Sequence, residues 1–473
     1  MGKVAVAVIV SLWVISLSIL VNHIVPEPYM DEIFHIPQAQ QYCIGNFRSW
    51  DPMITTPPGL YYLSLVHVAS LFPGMSIVQA ASSFSEVCTT AILRSVNGVL
   101  AVLCSILVCC IADCSACYVS CMFEKELLVK CSGKLGALAV VIRQTNIVWM
   151  LFVACTGVIN ITLVRPRDNV EVNDTNTAIR KSNRSTSNDD VTSGSNLRQR
   201  KFSNSLGTDK HSMPSASLVS TNHSSGLLDE VKVIFLALWH MKWELLVSFS
   251  PFLMVFVAFL AFIRWNGSVV LGAKEAHTVS PHFAQIMYFG LVSALAVAPL
   301  HCSKGQVVDL FRSFWKRRPI SFFQVFVAVI AGVFSVHFFS LVHPYLIADN
   351  RHYPFYLWRK VINAHWSMKY LLVPLYVYSW FSIFSTLGKV QRKIWVLAFF
   401  LATAAVLVPA PLIEFRYYTI PFYFIILHSH INDYQSWLLM GLLYLAINVF
   451  TMMIFLFRPF HWDHEPGIQR FIW

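Results

Sequence analysis

The sequence predicts an all-α polytopic membrane protein. Of its 473 residues, 56% are hydrophobic and only 12% are charged, and the mean hydropathy is +0.58. This composition is too apolar for a soluble core, and several apolar runs approach the roughly 20 residues that a helix needs to cross a bilayer. The 14 Trp and 17 Tyr residues suit the aromatic belts that membrane proteins place at headgroup depth. We expect roughly 10–12 transmembrane helices.

The first apolar run, residues 4–25, follows Lys3 and has no small-residue cleavage site, so we expect an uncleaved anchor. A first loop, residues 26–90, comes after it. Within this loop residues 59–72 are apolar, but the run is only about 14 residues long and stops at a Pro-Gly pair. That length favours a helix in the plane of the membrane over a full crossing.

The chain divides into two membrane modules separated by a polar stretch. The modules are residues 1–164 and 229–473, and residues 165–228 lie between them. The polar stretch is rich in Ser, Asn, Thr and charge without apolar periodicity, which is typical of a disordered loop. It contains N-glycosylation triplets at Asn173, Asn183 and Asn222. Alternation of the spans places the loop in the cytosol, whereas glycosylation of it would place it in the lumen.

The net charge of +11 does not indicate a nucleic-acid partner. Much of the excess lies in short basic patches beside apolar runs, at residues 316–318 and 389–393. Positive residues at the ends of spans hold loops in the cytosol. With these patches in the cytosol, alternation puts the first loop, residues 348–353 and residues 414–418 together on the opposite side.

Seven of the eleven cysteines crowd into residues 104–131. No His joins them, and their spacing is not that of paired zinc ligands, so we expect no metal site. The surrounding residues 109–134 form an irregular segment that matches neither a lipid-facing helix nor an ordinary polar turn. Nucleophile elbows, phosphate-binding glycine loops and zinc motifs are absent from the sequence.

Carboxylates in the first loop are candidates for catalysis. Asp31 and Glu32 lie in EPYMDEIFHIPQAQQY, and Trp50 and Asp51 lie in SWDPMITTPPGLYY, where a stiff Pro-Pro-Gly turn indicates a shaped loop. A carboxylate can act as general base toward a hydroxyl within hydrogen-bond reach. The alternative is a solvated acidic pair that marks the end of a helix.

Cations in later loops could hold a phosphate beside these acids. The candidates are Arg143 in IRQTN, Arg351 and His352 in ADNRHY, and Arg416 in EFRYY. Guanidinium groups neutralise phosphate through paired hydrogen bonds. Arg143 is the most informative, because a charge inside an apolar stretch is costly unless paired or solvated. Interfacial anchoring of the others, and a transporter pathway lined by such charges, remain alternatives.

Five stretches, in order along almost the whole chain, resemble the motifs of the dolichyl-phosphate-glucose-dependent α-1,2-glucosyltransferase family. They are EPYMDEIFHIPQAQQY, WDPMITTPPGLYY, IRQTNIVWM, LIADNRHYPFYLWRK and LIEFRYYTIP. The N-terminal third is most similar to plant members. The resemblance implies a GT-C-type bundle in the endoplasmic reticulum membrane, with the active site facing the lumen. It also implies in-plane helices and a catalytic acid in the first lumenal loop.

The resemblance further implies the reaction and its participants. Glucose passes from dolichyl β-phosphoglucose to the diglucosylated dolichyl-diphosphate oligosaccharide, with inversion, so one base is enough. Asp31 is expected as that base, and Glu32 as a residue that orients the acceptor or tunes Asp31. Trp50 and Asp51 are expected to shape the acceptor site. The cations expected to stabilise the leaving phosphate are Arg143, Arg351, His352 and Arg416. No cofactor or metal is implied.

The chain departs from the family pattern at residues 109–134. Relatives carry a longer middle region there, with additional spans that this sequence lacks. The departure leaves loss of activity as one alternative for this chain. Two others remain: a polytopic transporter or channel-associated subunit, and a related transferase that uses lipid-phosphomannose.

Overall fold

The computed structural model describes residues 2–116, 124–163 and 226–472, apart from residues 278, 317, 430, 432 and 464. Residues 164–225, which include the three N-glycosylation triplets and nearly all of the predicted polar loop, therefore lie outside the described residues. So do residues 117–123 of the Cys-rich segment. The chain forms two compact units, one of residues 1–157 with 243–473 and the other of residues 158–242.

The helices of the N-terminal part are α1 (Gly2–Ile24), α2 (Glu32–Cys43), α3 (Gly59–Ile77), α4 (Phe84–Val87), α5 (Thr90–Ala116), α6 (Glu124–Ile142) and α7 (Asn146–Leu163). Those that follow residue 225 are α8 (Leu227–His240), α9 (Lys242–Ser248), α10 (Ser250–Asn266), α11 (Ala284–Ala296), α12 (Ala298–His301), α13 (Lys304–Lys316), α14 (Arg318–Phe338), α15 (Pro344–Ala348), α16 (Tyr353–Leu357), α17 (Met368–Leu371), α18 (Val373–Val390), α19 (Lys393–Leu407), α20 (Phe415–Leu427) and α21 (Tyr434–Phe457). A 3₁₀ turn covers Lys274–His277, and a π turn covers Trp358–Ile362.

The predicted all-α polytopic class is confirmed. Among the described residues, seven helices are long and apolar enough to cross a membrane, and eight if α9 and α10, bent by 71°, form one broken span. This number is below the predicted 10–12 because several apolar segments form shorter helices. The apolar run of residues 284–300, for example, breaks at Val297, since α11 ends before it and α12 starts after it with Pro299 in its first turn.

Helix α3 is longer than the short helix that the sequence predicted at residues 59–72. It has 19 residues with a hydropathy of 1.4, which makes it a candidate span. The helix passes through Pro73 and ends at Ile77, and the N–H of the next residue, Val78, donates to the Gly74 carbonyl at 3.2 Å. A proline this close to the end of a helix removes one backbone bond without stopping the helix. The predicted length was therefore too short, and the placement of this helix in the plane of the membrane stays a prediction.

The Cys-rich segment is helical in its described parts. Helix α5 continues to Ala116 and α6 begins at Glu124. The segment therefore extends two regular helices, which the sequence pattern did not indicate. The following break between α6 and α7 places Arg143 outside both helices.

The first loop folds over its own core. Tyr61 on α3 packs against Tyr42 on α2, with ring centroids 5.5 Å apart, and both rings are buried. A disulfide joins Cys43 at the end of α2 to Cys88, across a sequence separation of 45. This bond holds the start and end of the loop together, and the sequence analysis missed it because neither cysteine lies in the crowded segment.

A distant backbone segment, residues 271–273, supports the same loop. The N–H groups of Leu271 and Ala273 donate to the carbonyls of Thr55 and Pro52, at 3.2 and 3.0 Å. Gly272 between them is required, because a Cβ there would lie 2.2 Å from the Pro52 oxygen. The loop is therefore fixed from outside as well as by its disulfide.

Residues 458–472 follow α21 and form what we call the C-terminal strap. It contains β1 (Phe460–Trp462) and β2 (Glu465–Gln469), which pair antiparallel with Phe460 opposite Gln469. The remaining residues of the strap return toward the first loop.

Candidate active site

Asp31 lies at the start of α2, where the first loop leaves the anchor helix. Its carboxylate is 70% exposed, and Oδ2 lies 3.4 Å from Nη1 of Arg416 in the first turn of α20. Arg416 also pairs with Glu414, through Nη2 to Oε1 at 2.8 Å and through Nε to Oε2. The Arg416 guanidinium thus bridges the carboxylates of Asp31 and Glu414, which lie far apart in the sequence.

Arg143 enters the same cluster from the break between α6 and α7. Its guanidinium lies 5.3 Å from the centroid of the Tyr417 ring, and the Arg416 guanidinium lies 5.9 Å from that ring. The partly buried Arg143 side chain has no hydrogen-bonded or ion-paired partner within the part of the chain that the structure describes. Burial lowers the pKa of Arg143, Tyr417 and Glu414 oppose this, and Arg416 adds to it. Two guanidinium groups beside one ring favour an anion between them.

His35 and Tyr61 form the neighbouring part of the cluster. His35 lies one helical turn after Asp31 on α2, and its Nδ1 is 2.6 Å from the Tyr61 hydroxyl. Burial lowers the pKa of His35, the charges of Asp31 and Asp51 oppose the shift, and Arg416 adds to it. The imidazole is therefore neutral at neutral pH, next to the Asp31 carboxylate.

Glu32 points into a different ion pair. The Nε and Nη2 atoms of Arg94 on α5 donate to its carboxylate, at 3.0 Å to Oε1 and 2.7 Å to Oε2. Arg94 also donates to Asn22 Oδ1 at 2.9 Å and to the Val25 carbonyl at 2.7 Å. Glu32 accepts the Tyr29 N–H as well, at 3.1 Å. The side chain therefore ties the segment after α1 to α5.

Trp50 and Asp51 shape the first loop from within. The Asp51 N–H donates to Gln38 Oε1 at 2.9 Å, and Asp51 Oδ1 accepts the Met53 N–H at 2.8 Å. Trp50 packs edge-on against Tyr61, with centroids 5.9 Å apart. Its Nε1 is buried and has no hydrogen-bond partner among the described residues.

Arg351 and His352 belong to a second cluster around Asp349. Arg351 donates to both Asp349 oxygens, at 2.9 and 2.8 Å, and His352 Nε2 lies 3.1 Å from Oδ2. Burial alone would raise the pKa of Asp349, but the hydrogen bonds from His352 and Arg351 hold it well below its usual range. Arg351 also donates to Gln469 of the strap at 2.6 Å. Its guanidinium is therefore already occupied.

The structure thus brings together three of the predicted site residues, Asp31, Arg143 and Arg416. It adds residues that the sequence analysis did not single out. They are His35, Tyr61, Arg94, Glu414 and Tyr417. His35 follows Asp31 by four residues, and Glu414 and Tyr417 flank Arg416. The motifs around Asp31 and Arg416 could therefore have indicated these three residues. Arg94 carries no comparable signal.

The fold and this cluster define a multi-pass membrane protein whose site combines an exposed carboxylate with guanidinium groups. The chain belongs to the DIE2/ALG10 family, whose model matches residues 25–117 and 111–427. It is 53% identical, over 100% of both chains, to an Arabidopsis thaliana protein named Dol-P-Glc:Glc(2)Man(9)GlcNAc(2)-PP-Dol alpha-1,2-glucosyltransferase. A Homo sapiens protein of that name is 30% identical over 94% of this chain and 93% of its own. One of Yarrowia lipolytica is 28% identical over 96% and 94%. No solved structure matches.

The comparisons also bear on the Cys-rich segment. The Arabidopsis alignment extends over 516 positions, more than the 473 residues here, so that relative has residues that this chain lacks. The two stretches matched by the family model meet at residues 111–117, inside the segment where the departure was predicted. Neither loss of activity nor the transporter and mannose alternatives gain support from these relatives.

Proposed function

We propose that this chain transfers glucose from dolichyl β-phosphoglucose to the diglucosylated dolichyl-diphosphate oligosaccharide, forming the terminal α-1,2-linked glucose. The names of relatives that match nearly the whole chain support this activity. The structural observation that carries it is the partly buried Arg143 guanidinium without a carboxylate partner, beside the pair formed by Arg416 and Asp31. An anionic leaving group and a base are what this transfer requires.

Asp31 acts as the general base. Its exposed carboxylate can reach the 2-hydroxyl of an incoming sugar, and inversion needs a single base without a covalent glycosyl-enzyme. Asp31 takes the hydroxyl proton while that oxygen attacks the anomeric carbon. The bond from this carbon to the phosphate oxygen breaks, and its electron pair leaves with dolichyl phosphate. His35, neutral and held by Tyr61, lies beside the carboxylate.

Arg143 and Arg416 stabilise the charge that develops on the leaving phosphate. Both guanidinium groups lie close to the Tyr417 ring, 5.3 and 5.9 Å from its centroid. Glu414 fixes Arg416 through two hydrogen bonds, so Arg416 need not reorganise during the reaction. The contact of 3.4 Å between Asp31 and Arg416 places the base next to the guanidinium groups that bind the phosphate.

The other predicted residues position these groups. Glu32 holds the start of α2 through Arg94 and does not act on the proton. Trp50 and Asp51 shape the acceptor side from within the first loop, through the contact of Trp50 with Tyr61 and the hydrogen bond of Asp51 to Gln38. Arg351 and His352 build the wall around Asp349 rather than contact the phosphate.

We place the enzyme in the endoplasmic reticulum membrane, with the first loop in the lumen. The disulfide between Cys43 and Cys88 supports this side, because disulfides persist in oxidising compartments and are rare in the cytosol. Residues 26–90 and the start of α20 meet through Asp31 and Arg416, so the site belongs to the same side.

Transfer of radiolabelled glucose from synthetic dolichyl phosphoglucose, by enzyme in detergent, tests the proposal. An enzyme works without a sealed membrane, whereas a transporter needs one. We expect transfer to a diglucosylated acceptor, none from dolichyl phosphomannose, and loss of transfer in Asp31→Asn. The matched control is Asp309→Asn, an exposed carboxylate on α13 that lies 3.9 Å from Lys389 and far from these residues in the sequence. Full transfer by Asp31→Asn would refute the base assignment, and preference for the mannose donor would refute the substrate.

A further inference from the structure

The C-terminal strap lies outside the part of the chain matched by the family model, which ends at residue 427. Its tail is nevertheless firmly fixed. Arg470 is 8% exposed, and its Nη1 donates to the carbonyls of Phe455 and Leu456 at 2.8 and 2.9 Å. These carbonyls belong to the last turn of α21, where a helix has no intrahelical donors left for them. A buried cation thus locks the strap onto the helix end.

The strap also contacts the loop that carries the second cluster, around Asp349. The Ile472 N–H donates to the Arg351 carbonyl at 2.7 Å. The Arg351 guanidinium lies 4.5 Å from the centroid of the Trp462 ring. The Trp462 Nε1–H donates to Asn350 Oδ1 at 3.0 Å. The strap and residues 349–351 therefore form one connected body at the edge of the first loop.

From this body, two hydrogen bonds reach the segment that carries the proposed base. The Tyr29 hydroxyl donates to the Arg470 carbonyl at 2.9 Å and accepts the Arg470 N–H at 2.7 Å. The hydroxyl therefore both donates to and accepts from one residue of the strap, and it also makes a side-chain hydrogen bond with Arg351. Tyr29 stands two residues before Asp31.

The intervening residue, Met30, has a φ of 57°. This left-handed conformation is uncommon for a residue with a side chain and persists only where its surroundings impose it. On one side the strap holds Tyr29, and on the other Arg94 holds Glu32. The Met30 bend sets the direction in which Asp31 leaves the backbone, so its two anchors set the position of that carboxylate.

We propose that the C-terminal strap is a positioning element for glucosyl transfer, acting through the Tyr29 hydroxyl to hold the Met30 bend and the Asp31 carboxylate. This inference rests on the proposed role of Asp31 as base. Tyr29 and Arg470 touch no reacting atom. Their effect is on the fraction of enzyme in which the base is within reach of the acceptor hydroxyl.

Tyr29→Phe in the full-length protein removes the hydrogen bonds of the hydroxyl and keeps the ring, which packs 6.0 Å from Phe455. We expect kcat to fall on the order of tenfold or more, as misplacement of a reacting group by about 1 Å does, while the KM for the donor changes less than about twofold. The matched control is Tyr353→Phe, which removes a hydroxyl bonded to Thr451 at 2.9 Å near the strap but not on the path to Asp31. Its kcat should stay within about twofold of wild type.

A double-mutant cycle with Arg470→Gln tests whether the strap acts through Tyr29. Arg470→Gln loosens the strap from α21, so we expect its kcat to fall as well. The double variant should be no slower than the slower single variant, because both changes break the same connection. Rates are taken per mole of monodisperse enzyme, which separates loss of folded protein from loss of rate.

Three results would overturn the inference. They are an unchanged kcat in Tyr29→Phe, an equal loss in Tyr353→Phe, and additive losses in the cycle. Asp31→Asn, measured beside them, distinguishes these from failure of the proposed function. An inactive Asp31→Asn with a fully active Tyr29→Phe refutes the strap alone, whereas an active Asp31→Asn refutes the base.

Discussion

Arg416 Nη1 lies 3.4 Å from Asp31 Oδ2, although 385 residues separate the two in the sequence. The same guanidinium makes two hydrogen bonds to Glu414. Arg416→Lys keeps the charge but loses the planar fork that serves both carboxylates. We expect kcat for glucose transfer to fall about 10–100-fold, measured with synthetic donor in detergent. Arg312→Lys on the exposed surface of α13 is the control, and equal rates in both variants would contradict a specific role.

Arg143 offers a sharper test of phosphate binding. Arg143→Gln removes a cation that has no carboxylate partner among the described residues, so no buried negative charge is stranded by the change. We expect a raised donor KM and a kcat lowered on the order of tenfold, with the thermal unfolding temperature little affected. Acceptor KM should stay unchanged. A variant with normal donor kinetics would remove Arg143 from the site.

Breaking the ion pair between Glu32 and Arg94 should lower the stability of the folded protein. Arg94 is 11% exposed, and Glu32→Gln leaves its charge without a carboxylate. We expect a cost of about 1–3 kcal/mol in the free energy of unfolding, read from thermal unfolding of purified enzyme. A cycle with Arg94→Gln should show coupling between the two sites. Independent, additive effects would show that the pair contributes little.

Burial lowers the pKa of His35 below its ordinary value of 6.5. The unfolded chain therefore takes up a proton as pH falls through about 6.5, while the folded protein resists it, so stability is present above that pH and lost below it. We expect the unfolding temperature to drop between pH 7.5 and 5.5, and to drop less in His35→Gln. An identical drop in both proteins would show that His35 does not contribute.

The disulfide between Cys43 and Cys88 leads to one prediction about the stability of the protein and one about the side of the membrane on which the first loop lies. Cys43→Ser should cost about 2–4 kcal/mol, and Cys88→Ser should match it, because each breaks the same bond. In sealed microsomes Cys43 and Cys88 of the wild-type protein should resist thiol-specific labels until the protein is denatured and reduced. Ready labelling of Cys43 in unreduced protein would contradict the bond and the lumenal side together.

The sequence was sufficient for the helical membrane class, because span length and hydropathy are local properties. It also indicated Arg143, since a charge inside an apolar stretch stands out by itself, and it indicated Asp31 and Arg416 through the motifs in which they lie. The partner of Glu32 could not be predicted. Arg94 is 62 residues away, and no local pattern links the two.

The helix boundaries could not be predicted, for a related reason. Hydropathy measures how apolar a run is, whereas a helix boundary depends on individual backbone groups. At Val297 the chain leaves the helical conformation, with a ψ of 41°, within an apolar run. At Pro73 the helix continues through a residue that usually ends one.

The unpartnered guanidinium of Arg143 bears on how the reaction ends. A phosphodiester donor carries one negative charge, whereas the dolichyl phosphate set free by transfer carries between one and two near neutral pH. The two guanidinium groups of Arg143 and Arg416 bind dolichyl phosphate, which carries more charge, more tightly than the donor. The spent lipid should therefore inhibit turnover in competition with the donor, and its departure rather than bond breaking would limit the rate when acceptor is abundant.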